Sequence, residues 1–372
     1  MGTFLDYLDW RGDLPLTRDP FNEVDNLILS ELAYTDLRCL VPAPGEEGSV
    51  TLREAAAFYE AEARDQSCLS NDPGPLLRKA AATERFGSAR LSAFTDEIDE
   101  EEELQFAALS FTLDDGTLFV AFRGTDNTIV GWREDFNLCV LSETPGQRRA
   151  ARYLNAAAAR HEGLIRVGGH SKGGNLAFYA AAFCDAPVKS RLLAVYSNDG
   201  PGFRREVTER ALYREIFPKL TKIVPEMSII GLLLTAGEEP EVVKSSADGG
   251  GAQHNPYTWL VEGNHFRRAE KLSTVSVLLN EALDRWVDNL DDEARGNLVS
   301  AIFDSLDASG AKTLTELNAN KRLSYNAILR AARELDPELQ RDVIDTLKKL
   351  ASASSHVLWD EAKRSFEALV GA

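Results

Sequence analysis

The chain has 372 residues, 44% of them hydrophobic, and a formal net charge of -18 at pH 7. This length exceeds the usual size of a single core, so we expect a larger domain with a smaller appendage. Because a net anionic surface repels nucleic-acid backbones and anionic membranes, the charge argues against both as main partners.

The first residues, the apolar runs and the cysteines bear on the compartment. The opening stretch MGTFLDYLDWRGD has acidic residues where a signal peptide needs a cationic end. The longest apolar run, SIIGLLLTA over 228–236, is too short to span a bilayer. Cys39, Cys68, Cys139 and Cys184 form no CxxC pair, which favours reduced, buried thiols. We expect a cytoplasmic protein without a transmembrane segment.

The first third of the chain predicts helices followed by a hairpin. Up to about residue 89, EVDNLILSELAY and LREAAAFYEAEARD place apolar residues three and four apart, as in helices that cover a sheet. The acidic run DEIDEEEE over 96–103 predicts a solvated loop or helix end before the first clear strand. Two β-rich runs then flank Asp114-Asp115-Gly116, a hairpin signature.

Strands and helices then alternate. Strands are predicted at FVAF, LIRVGG, RLLAVYSNDG, KLTKIVPEMS and EVVKSS, and helices at TPGQRRAARYLNAAAARHEG, NLAFYAAAFC and REVTERALYREIF. This order predicts a mainly parallel sheet with helices on both faces. Beyond about Phe266 only amphipathic helices follow, such as ARGNLVSAIFDSL, YNAILRAARELD and LQRDVIDTLKKL. We therefore expect an α/β domain over 1–266 and a helical appendage over 267–372.

One motif between a predicted strand and a predicted helix indicates chemistry. Residues 169–173, GHSKG, fit the G-x-S-x-G pattern of a nucleophile elbow. Glycines are needed there because the strand turns so sharply into the helix that a Cβ would clash. Ser171 at the tip is then exposed beside the unpaired N–H groups of a helix N-terminus.

A serine nucleophile needs a base to take its proton, and the base needs an acid to orient it. Among the histidines, His161 precedes the elbow, His170 lies inside it, and His356 lies in the appendage. His254 and His265 remain. We favour His254 because it follows the last predicted strand, where the chain order Ser, acid, His places the base.

Two carboxylates compete for the role of the acid. Asp199 and Glu226 each lie at the carboxyl end of a predicted strand, so both face the same crevice. The tight turn after Asp199 favours it slightly, and Glu226 remains an alternative. The oxyanion hole would take the N–H of Lys172 and that of Thr125, which can add its hydroxyl. This chemistry requires no cofactor.

Several segments carry a family resemblance. AFRGTDNTIVGWREDFN and GHSKGGNLA resemble the class-3 (fungal-type) lipases. DYLDWRGD, NEVDNLILSELAY, SNDGPGF and HNPYTW, together with the elbow, resemble more closely a bacterial family of α/β-hydrolase-like proteins, the Mbeg-like family, from Met1 to about Phe266. The resemblance implies an α/β-hydrolase fold.

The same resemblance implies roles for individual residues. It assigns Ser171 as nucleophile, His254 as base, and Thr125 with Lys172 as oxyanion donors. The lipase pattern implies Glu226 as the acid, whereas DGPGF of the closer family implies Asp199, so both stay open here.

Two features bear on the substrate. The lipases usually have leucine where this chain has Lys172, and a cation facing the acyl pocket would disfavour a purely apolar substrate. The predicted lid region, 127–142, contains apolar residues that could cover an acyl chain or belong to the core. They are Ile129, Val130, Trp132, Phe136 and Leu138.

We expect an enzyme that hydrolyses a small-molecule acyl ester through an acyl-enzyme on Ser171. Amide or thioester hydrolysis, and acyl transfer to an acceptor other than water, share the first half-reaction. The alternative from another class is a catalytically inactive binding or regulatory module of hydrolase fold, whose helical tail contacts a protein partner.

Overall fold

Eight strands form the main sheet, and their neighbours in the sheet follow the order of the chain. The structure, a computed structural model, describes residues 2–61, 73–234, 237, 239–274, 276–277, 280, 292–307, 310–313 and 316. The strands of the main sheet are β1 Val50–Thr51, β2 Arg90–Asp99, β3 Leu104–Thr112, β4 Leu118–Phe122, β5 Ile165–His170, β6 Leu192–Asn198, β7 Leu220–Pro225 and β8 Glu241–Val243. A separate small hairpin comprises β9 Val261–Glu262 and β10 His265–Phe266.

The described helices surround this sheet. They are α1 Phe4–Arg11, α2 Glu23–Leu32, α3 Leu52–Ala61, α4 Gly74–Ala81, α5 Ile129–Asn137, α6 Pro145–Ala159, α7 Lys172–Phe183, α8 Ala186–Ser190, α9 Arg205–Thr208, α10 Ala211–Glu215, α11 Gly250–Gln253 and α12 Asp292–Asp307.

The sheet separates two hydrophobic cores. Strands β1 to β4 pair antiparallel, and β4 to β8 pair parallel. Along β4, Phe119 and Ala121 join the core under α1 to α4, whereas Val120 and Phe122 join the core under α6, α7 and α10. This alternation follows from the two-residue period of a strand. The α/β-hydrolase fold and its helices on both faces are confirmed.

Two local predictions were wrong. The acidic run does not form a loop throughout, because 96–99 belong to β2. The strand accepts this charge since Arg123, which is buried, donates to both carboxylate oxygens of Asp96 at 2.8 and 3.0 Å. The single helix predicted in REVTERALYREIF is two short helices, α9 and α10, because Arg210 between them is extended (φ -67°, ψ 137°).

The cysteines follow the prediction only in part. Cys184 is a buried free thiol, Cys139 is half-buried, and Cys39 is exposed. Cys68 lies outside the described residues, as does His356. No helix in the described part of the chain is both long and apolar enough to cross a membrane.

The first described helix of the predicted appendage is α12, and it packs on α5. Phe303 of α12 stacks edge-on against Phe136 at 5.3 Å between ring centroids. Arg133 of α5 donates to Asp304 at 2.7 Å. The helices predicted in YNAILRAARELD and LQRDVIDTLKKL lie outside the described residues.

A buried polar layer joins α2 to the ends of β5 and β6. Asn26 donates to Asn198 Oδ1 at 2.9 Å, and Asn198 donates to the carbonyl of Gly169 at 3.0 Å. Glu31, which is buried, faces Nδ1 of His170 at 3.3 Å. Burial raises the pKa of Glu31 to about 8 and holds the pKa of His170 well below its ordinary value. Both groups are therefore neutral in the folded protein near pH 7.

The raised pKa of Glu31 makes folding stability depend on pH. An acid whose pKa rises from 4.5 to about 8 on folding binds more protons in the folded chain across that range. Stability is therefore lost as the pH rises through this window. Glutamine at this position stays neutral at every pH. Between about pH 6.5 and about pH 8.5 we therefore expect the unfolding free energy of Glu31→Gln to fall by about 2 kcal/mol less than that of wild type, since each pH unit in this window contributes about 1.4 kcal/mol. Urea unfolding of both proteins at the two pH values measures the difference.

The matched control for this experiment is the exposed carboxylate Glu102, changed to Gln. It should leave the pH dependence of the unfolding free energy unchanged. His170 and Tyr34, the other titratable groups near Glu31, keep one protonation state over this range because burial lowers the first pKa and raises the second. Equal losses for wild type and Glu31→Gln would contradict the prediction.

Candidate active site

The backbone at Ser171 has the conformation of a nucleophile elbow. Ser171 lies between the last residue of β5 and the first residue of α7, with φ 57° and ψ -132°. Positive φ is uncommon and strained for a residue with a side chain. The Ser171 N–H donates to the carbonyl of Asn198 on the neighbouring strand at 2.9 Å, which helps to hold this turn.

Close backbone packing explains the glycines on both sides of the serine. A Cβ at Gly169 would overlap the carbonyl of Gly173, and a Cβ at Gly173 would overlap the carbonyl of Phe122 in β4. Both positions have no room for a side chain. The glycines therefore let α7 begin directly against the sheet, and Ser171 lies at the carboxyl end of β5, at the edge of the sheet.

Three side chains from distant segments form one hydrogen-bonded chain at this edge. The Ser171 hydroxyl lies 3.0 Å from Nε2 of His254. Nδ1 of the same ring lies 2.6 Å from Oδ2 of Asp199. The second oxygen, Asp199 Oδ1, accepts from Ser228 Oγ at 2.5 Å and from Gly231 N at 3.2 Å. The Asp199 carboxylate is fully buried, so its orientation is fixed by hydrogen bonds at both oxygens.

A second histidine, His170, contacts His254. His170 donates from Nε2 to the backbone carbonyl of His254 at 2.9 Å, and the two rings lie 4.7 Å apart between centroids. A neutral His170 that donates from Nε2 carries no proton on Nδ1, so it forms no ion pair with the neutral carboxyl of Glu31.

Glu226, the alternative acid, does not join the chain. Its Oε2 lies 2.5 Å from Nζ of Lys244, which follows β8, and its side chain is partly exposed. The neighbouring strand thus supplies a cation that pairs with it. His265, the alternative base, is exposed in the β9–β10 hairpin.

The two predicted oxyanion donors lie on either side of Ser171. Lys172 is the first residue of α7, where an N–H has no acceptor within its own helix. The segment before Thr125 passes the nucleophile closely, since a Cβ at Gly124 would lie 3.1 Å from the Cβ of Ser171. Thr125 Oγ1 donates to Asp135 Oδ2 at 2.5 Å, and burial raises the pKa of Asp135 to about 6.

The side chain of Lys172 is almost completely buried and does not add a cation to an acyl pocket. Its Nζ donates to the carbonyl of Gln105, to the Gln105 side chain and to Glu134 Oε2, at 2.8, 2.7 and 2.8 Å. The objection that the sequence raised against an apolar substrate is therefore removed.

Sequence reasoning gave no role to Glu134 or Asp135, although both lie in the quoted segment WREDFN. It placed the segment in a lid, and the structure shows α5, whose Ile129 and Leu138 ends are buried while Trp132 is 39% exposed. Adjacent carboxylates shortly after the oxyanion loop were the available signal. Among the described residues, no group of three or more His, Cys, Asp or Glu side chains could hold a metal ion.

Comparison with solved structures finds similar folds at low identity. An M37 lipase matches at 14% identity and TM-score 0.36, over 55% of this chain and 68% of that chain. A Rhizomucor miehei lipase in a propeptide complex matches at 14% identity and TM-score 0.32, over 43% of this chain and 57% of that chain. A triacylglycerol lipase described as having a serine protease triad matches at 14% identity and TM-score 0.36, over 60% of this chain and 78% of that chain.

No curated protein sequence matches the chain. Residues 80–304 match the sequence family described as Mbeg1-like. This match covers more than half of the chain, from the end of α4 into α12. The chain belongs to the Mbeg1-like family.

Proposed function

We propose that the protein is a serine hydrolase that cleaves acyl esters through an acyl-enzyme on Ser171. The observation that supports this most is the hydrogen-bonded chain from Asp199 through His254 to a serine held at positive φ on a strand-to-helix turn. A serine hydroxyl is a weak nucleophile, and this arrangement supplies the base, the acid and the exposed position that it needs.

In the acylation step, Nε2 of His254 takes the proton of Ser171 as Oγ attacks the carbonyl carbon of the ester. Asp199 accepts from Nδ1 and stabilises the imidazolium that forms. The carbonyl oxygen becomes an oxyanion beside the backbone N–H groups of Lys172 and Thr125, while the Thr125 hydroxyl stays bonded to Asp135. When the tetrahedral intermediate collapses, His254 gives its proton to the leaving alkoxide, and an alcohol departs.

The deacylation step repeats this chemistry with water. His254 takes a proton from water, the resulting hydroxide attacks the acyl carbon, and the proton returns to Ser171 Oγ as the carboxylic acid is released. If another alcohol replaced water, the same residues would catalyse acyl transfer.

We also propose that 1–266 form the hydrolase domain and 267–372 a helical appendage. Among the described residues the last strand, β10, ends at Phe266, and α12 packs on α5.

Ser171→Ala removes the proposed nucleophile, because alanine has no γ oxygen. It should leave the turn intact, because alanine keeps the Cβ and the backbone of the serine. We expect turnover of p-nitrophenyl esters to fall by at least about 1,000-fold, with an unchanged thermal unfolding midpoint. A fluorophosphonate probe should label wild type at Ser171 and should not label Ser171→Ala. His254→Ala should lose labelling because no base remains to activate the hydroxyl.

The labelling experiment also separates the two classes of function. Folded wild type that remains unlabelled and does not turn over short- or long-chain esters would show a binding or regulatory module instead of an enzyme. Labelling that persists in Ser171→Ala would remove this serine from the mechanism.

Asp199→Asn and Glu226→Gln form a matched pair that tests the acid. We expect Asp199→Asn to lower kcat by about 1,000-fold or more, because an amide no longer fixes the imidazole tautomer or stabilises its charge. Glu226→Gln should keep kcat within about threefold, since a partly exposed ion pair is worth about 1 kcal/mol or less. The reverse result, measured as kcat on one ester, would make Glu226 the acid.

A further inference from the structure

The residue after the nucleophile bears a charged side chain that the proposed reaction does not use. Lys172 Nζ and Glu134 Oε2 are 2.8 Å apart, and the two side chains are 1% and 0% exposed. Removing two charges from water is costly, and apolar residues often fill such a place with equal or greater stability. A role in positioning would account for the pair.

Both partners are surrounded by matching hydrogen-bond groups. Lys172 Nζ meets acceptors at the Gln105 carbonyl, the Gln105 side chain and Glu134. Glu134 Oε2 also accepts from Gln105 N at 3.0 Å, and Oε1 accepts from Gly146 N at 2.7 Å. The pair therefore ties the start of α7 to β3, to α5 and to the start of α6.

The neighbour of Glu134 holds the other oxyanion segment. Asp135 accepts from Thr125 Oγ1 at 2.5 Å. Consecutive residues of a helix point about 100° apart, so one helix can bind two different chain segments through them. In α5, the Glu134 side chain binds Lys172, the residue after the nucleophile. The Asp135 side chain binds Thr125, which supplies the second oxyanion donor.

We propose that the Lys172–Glu134 pair is a positioning device for the oxyanion hole, which uses α5 as a common anchor for Lys172 and Thr125. It acts through the location of the Lys172 N–H and not by contact with the substrate. This inference rests on the proposed function. Removing a whole oxyanion donor costs about 100- to 1,000-fold in kcat, so a displaced donor should cost less.

Two variants with different risks to folding test the proposal. Lys172→Met with Glu134→Gln removes both charges together, so neither is left buried and unpaired. Gln105→Met removes one acceptor of Lys172 Nζ. It also removes Gln105 Nε2, a buried donor without a partner among the described residues, and the loss of this unpaired donor favours folding. Thermal unfolding identifies which variants are folded.

The readouts are kcat and KM for p-nitrophenyl butyrate and the Ki of butylboronic acid, whose tetrahedral adduct places an oxygen in the oxyanion hole. For the double variant we expect kcat to fall by about 10- to 100-fold, KM to change by less than about threefold, and Ki to rise in parallel with the loss of kcat. Gln105→Met should move kcat and Ki in the same direction by about threefold or more.

Tyr153→Phe serves as the control for loss of a buried polar contact. Tyr153 donates to the carbonyl of Ala93 at 2.8 Å and lies 3.0 Å from Ser110 Oγ, and it shares no hydrogen bond with Lys172, Glu134 or Gln105 among the described contacts. A merely structural effect lowers the unfolding midpoint, as in this control, and leaves kcat and Ki of the folded molecules unchanged.

The outcomes separate this inference from the proposed function. Folded variants that keep kcat and Ki within about twofold of wild type would overturn the positioning role while the hydrolase stands. If the double variant does not fold, Gln105→Met decides alone by the same criterion. Wild type without turnover or fluorophosphonate labelling would overturn the proposed function itself.

Discussion

The contact between β4, β5 and α7 is the constraint on which the site depends. At Gly169 and Gly173 the backbones of these elements approach so closely that no Cβ fits. This approach directs the chain through positive φ at Ser171, and the strain is offset by the packing of α7, which is buried on all sides. Ser171 and Lys172, a predicted oxyanion donor, therefore share one turn, and its conformation is set when the sheet and α7 pack.

Polar groups buried on two sides of this turn hold the segments of the candidate site. On the α2 side, Glu31 and His170 meet, and His170 binds the carbonyl of His254. On the α5 side, Glu134 binds Lys172 and Asp135 binds Thr125. A buried polar group is costly unless it is hydrogen-bonded, so the hydrogen bonds of His170, Glu134 and Asp135 permit few alternative arrangements. The turn is thus held by directional bonds where apolar packing alone would leave freedom.

The sequence predicts what depends on local pattern and leaves open what depends on neighbours across the sheet. The strand, GHSKG and helix are consecutive, so the elbow is predictable from local pattern, and chain order favours His254, whose Nε2 lies 3.0 Å from the Ser171 hydroxyl. Asp199 and Glu226 could not be separated, because both end neighbouring strands and the decisive partner, Lys244, follows the next strand. The direction of the Lys172 side chain could not be predicted either, since its partners Gln105 and Glu134 come from other elements.

The anchor itself needs support, because α5 has only nine residues and a helix of that length is marginal alone. Glu134 and Asp135 fix one side of it to the site, while Arg133 and Phe136 on either side of them contact α12. Helical periodicity makes this possible, as adjacent residues face different neighbours. The stability of α5 thus comes from tertiary contacts on both faces, and the geometry at Thr125 and Lys172 rests in part on a helix that follows the hydrolase sheet in the chain.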